Sequence, residues 1–147
     1  MTNFPILSNK EKKELIDLAN EAADRAREAI LPYFRQNIAV SNKDEHTFDP
    51  VTEADKAAEN AIRKVISLSR PHDGIWGEET GENASSTGFR WVIDPIDGTR
   101  SFISGTPTWG VLISLEQIGS GPILGIIDQP YIRERFIGGL GISEVRG

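Results

Sequence analysis

Apolar residues in the first half of the chain recur every three or four positions, and beyond residue 71 they gather in short runs. Leu15, Ile16, Leu18, Ala19, Ala22, Ala23, Ala26, Ala29, Ile30 and Tyr33 fall on one helical stripe. Ser8 and Glu11 have capping-box spacing, in which hydroxyl and carboxylate each satisfy an orphan backbone N–H. The alanines on the stripe imply close packing against another element, and Pro32 should kink or end the helix. Residues 41–50 read as a polar loop. A second helix is expected from near Thr52, carrying Ala54, Ala58, Ala61, Ile62, Val65 and Leu68, with Ser69-Arg70-Pro71 as its stop. Ile75-Trp76, Trp91-Val92-Ile93, Val111-Leu112-Ile113, Ile123-Leu124 with Ile126-Ile127, and Phe136-Ile137 then read as strands between turn residues. Gly119-Ser120-Gly121-Pro122 is a hairpin connection, and Gly138-Gly139-Leu140-Gly141 reads as a turn. Two helices followed by strands imply an α+β layer, with the helices packed on an antiparallel sheet.

Composition narrows the function classes. The chain has 147 residues, enough for one domain with a real core. It has no Cys, so a disulfide scaffold, a thiolate zinc site and a cysteine nucleophile are excluded. The net charge of −6 argues against nucleic acid as a partner. No apolar run approaches the roughly 20 residues that span a bilayer, and the N-terminus does not read as a signal peptide. A cytoplasmic protein with no membrane partner is the expectation.

Candidate chemistry gathers at the junctions between elements. Asp94-Pro95-Ile96-Asp97-Gly98-Thr99 follows an apolar strand, which delivers Asp94 to its end, and Pro95 is expected to stop further sheet pairing. Asp97 is close enough in sequence to share a cation with Asp94. Gly98 and Thr99 can open a short helix whose free N–H groups attract phosphate. Hard carboxylate oxygens beside such a backbone suit Mg²⁺-dependent phosphate chemistry; an Asp-Pro and Asp-Gly turn with both carboxylates capping the backbone is the competing reading. Glu78 and Glu79 stand at the end of another short strand, either as solvated acids or as a further metal ligand. Thr52 and Asp55 have capping-box spacing, which by itself explains both. His46 and His72 read as surface residues. Ser101 and Ser104 have no His base in view, which leaves a serine-hydrolase reading weak.

Taken in order, Asp49-Pro50-Val51-Thr52-Glu53-Ala54-Asp55, Gly77-Glu78-Glu79 and Trp91 through Thr99 resemble the inositol monophosphatase family of metal-dependent, lithium-sensitive phosphatases. The resemblance implies the first half of a layered α/β sugar-phosphatase fold and two or three Mg²⁺ ions. It implies that Glu78, Asp94 and the Ile96 carbonyl hold one ion, that Asp94 and Asp97 hold a second, and that Glu78 contributes to a third. Asp55 would pair with Thr99 to activate the attacking water, making Asp55, Thr99 and Glu78 the catalytic set. Asp97 and the N–H groups of Gly98 and Thr99 would meet the substrate, and Lys43 would match a lysine of the family's mobile loop. Arg100 is open to a substrate contact or a surface salt bridge.

The flanking residues narrow the branch. Arg100-Ser101-Phe102-Ile103-Ser104-Gly105, Pro107-Thr108-Trp109-Gly110, Gly125-Ile126-Ile127-Asp128-Gln129-Pro130 and Glu134-Arg135-Phe136-Ile137-Gly138 are similar to the histidinol-phosphate phosphatases. L-Histidinol phosphate is therefore the first expected substrate, with inositol 1-phosphate or 3′-phosphoadenosine 5′-phosphate as alternatives. Family members continue into a second half bearing a Trp-Asp motif, and nothing after Gly138 matches it. Residues 1–147 then form the N-terminal, metal-binding half of a larger unit, with weak or no activity alone. A complementing C-terminal half and a homodimer are the expected protein partners. The missing half also leaves room for a non-catalytic regulatory role like that of the bacterial extragenic suppressor proteins.

Overall fold

The structure is a computed structural model that describes residues 6–36 and 50–147. Asp49, His46, Lys43 and most of the polar stretch over 41–50 lie outside the described residues.

Helix α1 spans Asn9–Ile30 and begins where the capping box places it, with Ser8 and Glu11 exchanging their side-chain and backbone bonds. A single 3₁₀ turn, Leu31–Tyr33, carries Pro32 and ends the run. Helix α2 spans Pro50–Ser69. It starts two residues before the expected Thr52, with proline at its first position, where a missing N–H costs no helical bond. Thr52 therefore lies within the helix, and the cap expected from Thr52 and Asp55 is not what begins it. The buried stripe of α2 runs through Val51, Ala54, Ala58, Ile62 and Ile66, whereas Leu68 is 79% exposed. The alanines Ala19, Ala22, Ala23 and Ala26 of α1, with Ala54 and Ala58 of α2, are fully or almost fully buried, so the two helices pack closely.

The remaining chain forms β1 (Gly74–Gly77), β2 (Gly81–Asn83), β3 (Phe89–Asp97), α3 (Thr99–Ser104), β4 (Gly110–Gln117), β5 (Gly121–Gln129), β6 (Glu134–Gly139) and β7 (Ile142–Arg146). One seven-stranded sheet results, in the order β2-β1-β3-β4-β5-β6-β7. The α+β class is borne out, with one departure from an antiparallel sheet: β1 and β3 run parallel, pairing Gly77 with Ile93. The edge strands β2 and β7 carry little apolar pattern because they are largely exposed, which is why hydrophobic runs did not reveal them.

Side-chain alternation decides which face meets the helices. Ile75, Trp91, Leu115 and Leu124 lie across one row of the inner face, and Ile93, Ile113, Ile126 and Ile137 across the next. These residues join α1 and α2 in one core. The opposite face carries Leu112, Ile127, Phe136 and Val145 in a continuous cross-strand row. Ile127, Phe136 and Val145 are exposed there. Among the described residues no helix is long and apolar enough to cross a membrane.

Candidate active site

The parallel pairing of β1 and β3 is what assembles the acidic residues. Parallel strands end at the same sheet edge, so Glu78, one residue beyond Gly77, emerges beside Asp94, one residue beyond Ile93. Pro95 does not end β3, contrary to expectation: the strand continues through a register shift between Asp94 and Asp97, and Asp97 pairs with Gly110. A bulge of this kind re-aims side chains at a strand end. Asp94 is thereby held half-buried while Asp97 is exposed.

Gly98 then turns the chain into α3 in the left-handed region, at φ 88°. A Cβ here would stand 2.9 Å from the Thr108 carbonyl oxygen, so both the conformation and the space call for glycine. The first N–H groups of a helix have no intrahelical acceptor, and no side chain caps this one among the described residues. Thr99 and Arg100 open the helix and are both exposed. Among the described residues Arg100 makes no ion pair, and no hydrogen bond joins Asp55 to Thr99. Ser101 accepts from the Thr108 hydroxyl at 2.9 Å, and Ser104 donates to the Arg100 carbonyl at 2.7 Å, so both serve the local turn.

Helix α2 brings Asp55 to the same region. Its pKa is raised to about 7, first by burial and then by the fields of Glu79, Asp94, Glu78 and Glu59. Burial also raises Asp94, with Glu78 and Asp97 adding to it, while the Ile96 N–H pulls the other way. Among the described residues no basic group offsets either carboxyl, so the acids from α2, β1 and β3 form a concentration of negative charge. Like charges held together in this way disfavour ionisation unless a cation joins them. Among the described residues no three acidic or histidine side chains already stand in a coordinating arrangement. The side chains gathered there are carboxylates, without nitrogen or sulfur, and that chemistry fits a hard divalent cation.

Two buried acids were not singled out from sequence. Glu59, on α2, is fully buried and accepts from the backbone of Glu79 and Thr80. An acid among Ala54, Ala58 and Ile62 on the buried stripe was the available signal. Asp73 is 4% exposed and binds Arg70, the Thr87 hydroxyl and the Trp91 indole N–H, the last at 3.0 Å. It stabilises the approach to β3 without facing the acids. Trp109 packs against Phe34 and Phe102 beside Gly98, and among the described residues its buried Nε1–H has no hydrogen-bond partner.

Similarity to known proteins runs through these same elements. The pattern of the inositol monophosphatase family matches residues 11–142. A histidinol-phosphatase of Chlorobaculum parvum is 48% identical over 122 residues, covering 82% of this chain and 46% of its own length. The chloroplastic bifunctional phosphatase IMPL2 of Arabidopsis thaliana is 43% identical over 144 residues, covering 91% and 41%. A solved inositol monophosphatase of Zymomonas mobilis superposes with a TM-score of 0.78 at 40% identity, covering 96% of this chain and 53% of that one. The chain spans about half the length of these relatives. A match along nearly all of its residues, carried by the fold as well as the sequence, places it: this chain belongs to the inositol monophosphatase family.

Proposed function

We propose that this chain is the metal-binding half of a Mg²⁺-dependent phosphomonoesterase whose substrate is L-histidinol phosphate. The observation that carries the reading is the set of carboxylates drawn together from α2, β1 and β3, where burial first and mutual repulsion second raise the pKa of both Asp55 and Asp94. The similarity to histidinol-phosphatases supports the choice of substrate over inositol 1-phosphate.

When bound, Mg²⁺ lowers the pKa of a coordinated water and offsets the charge of the phosphate. Glu78, Asp94, the Ile96 carbonyl and Asp97 are the residues that would hold it. Asp55 would act through the Thr99 hydroxyl to take the proton of the attacking water, as a general base. The N–H groups of Gly98 and Thr99 orient the phosphate oxygens. The water oxygen bonds to phosphorus, the ester P–O bond breaks, and the leaving alkoxide gains a proton to become the free alcohol. Such a transfer requires positioning and charge stabilisation and no covalent nucleophile.

The row Leu112, Ile127, Phe136 and Val145, exposed at its last three positions, is where the other half of the active unit packs, as a C-terminal continuation or a complementing chain. Phosphate release from L-histidinol phosphate, inositol 1-phosphate and 3′-phosphoadenosine 5′-phosphate tests the proposal, with and without Mg²⁺. A C-terminally extended chain should hydrolyse the first in a Mg²⁺-dependent way, and the 147-residue chain should release little or none. An extended chain that hydrolyses none of the three overturns the reading.

A further inference from the structure

Glu78 is an exposed residue on the short turn between β1 and β2, a poor foundation for a ligand that must hold its place. Beneath that turn lies Glu59, whose side chain is fully buried. Its Oε1 accepts from the Glu79 N–H at 3.2 Å and its Oε2 from the Thr80 N–H at 2.8 Å, while the Thr80 hydroxyl also donates to Oε2. Arg63, one helical turn further along α2, reaches Oε2 with its Nε at 3.4 Å and donates from Nη2 to the Gly81 carbonyl. Every residue from Glu79 to Gly81 is therefore tied to α2 by a side chain rising from it.

Gly77 makes room for this grip. A Cβ at position 77 would fall 2.1 Å from Glu59 Oε1 and 2.6 Å from its Cδ, so any other residue there would displace the carboxylate. Glu59 also lies four residues after Asp55, on the same side of α2. One helix face thus carries Asp55 to the acidic site and Glu59 to the turn that presents Glu78.

We propose that Glu59 is a positioning residue for the candidate metal site: its buried carboxylate fixes the Glu78–Thr80 turn and thereby sets where the Glu78 carboxylate stands. The inference rests on the phosphatase reading, because it takes Glu78 as a metal ligand. The physical link is the peptide between Glu78 and Glu79. Pairing of β1 with β3 holds the chain up to Gly77, and the bond from the Glu79 N–H holds the next peptide plane, leaving Glu78 little backbone freedom. A buried acid serving stability alone would not need to bind the two peptide groups that follow a ligand.

Calorimetric titration with Mg²⁺, on this chain and on its C-terminally extended form, separates the two roles. Glu59→Gln keeps the shape but replaces an accepting oxygen with a donor, and should weaken Mg²⁺ binding about tenfold or more. Gly77→Ala displaces the same carboxylate from the other side and should give a comparable loss. The double variant should lose little beyond the larger single effect, since both act on one contact. Thr80→Val, at an exposed position, removes one donor and should show a smaller loss in the same direction even where Glu59→Gln fails to fold. Amide exchange at Glu79 and Thr80 should quicken in step with each loss of affinity. Folded variants that bind Mg²⁺ as wild type does overturn the proposal and leave Glu59 a stability residue. A wild-type protein that takes up no Mg²⁺ overturns the phosphatase reading itself, which is a different result from equal binding by wild type and variants.

Discussion

Asp94 and Asp55 are the residues at which burial and neighbouring negative charge act together. Asp94 stands half-buried between Glu78 and Asp97, so its ionised form is costly until a cation arrives. Asp94→Asn should cut Mg²⁺-dependent phosphate release by at least about a hundredfold, since removing a ligand costs more than removing its supporting groups. Activity that survives this change would place the metal elsewhere. Asp55 predicts a pH dependence with a definite sign. Its pKa is raised to about 7 in the fold from an ordinary value near 3.8, so the folded state binds the proton more tightly than the unfolded chain. Below about pH 4 both states are protonated and the carboxyl costs nothing; as pH rises toward 7 the folded state loses stability, and above 7 the loss is constant. In metal-free protein the thermal midpoint of wild type should therefore fall relative to that of Asp55→Asn between pH 4 and 7. Parallel midpoints across that range would contradict the burial and repulsion assigned to Asp55.

At the scale of elements, the helices and sheet are joined by charge as well as by packing. Asp128 of β5 is fully buried and binds Arg27 of α1, with Nη2 at 2.6 Å, and Arg135 of β6, with Nε at 2.9 Å. Arg135 continues to the Asn20 carbonyl and to Asp24, at 3.2 and 2.7 Å, so one carboxylate ties two strands to the middle of α1. Asp128→Ala leaves Arg27 without its anion and Arg135 with only Asp24, and should cost about 3–5 kcal/mol in a urea titration. A loss below 1 kcal/mol would mean that water replaces the lost partner. Such a network is hidden in a linear sequence, because Arg27 and Asp128 are 101 residues apart. Helix α1 was legible instead, since its cap, alanine stripe and proline stop are all local signals. The start of α2 was misplaced because a proline suits a helix's first position as well as it suits a loop. The bulge after Asp94 was missed because Pro95 is compatible both with a strand end and with a strand that shifts register.

For the whole molecule, the two faces of the sheet have different fates. One is sealed by α1 and α2, and the other displays Ile127, Phe136 and Val145. Replacing Ile127 and Phe136 together by Glu should leave the thermal midpoint of this chain nearly unchanged, because neither side chain belongs to the helix-side core. The same pair in the C-terminally extended chain should abolish Mg²⁺-dependent turnover by preventing the halves from packing. Full activity of the extended double variant would show that this face is not where they meet. The chain by itself determined the helix-then-strand order, the α+β class and the three acid-bearing segments, because each depends on neighbours a few residues apart. Only the tertiary structure decided that β3 returns alongside β1 in parallel. That pairing sets Glu78 against Asp94, lets α2 deliver Asp55 from above, and leaves Glu59 buried under the turn between them. Strand direction and helix placement depend on contacts between distant segments, which no local spacing encodes.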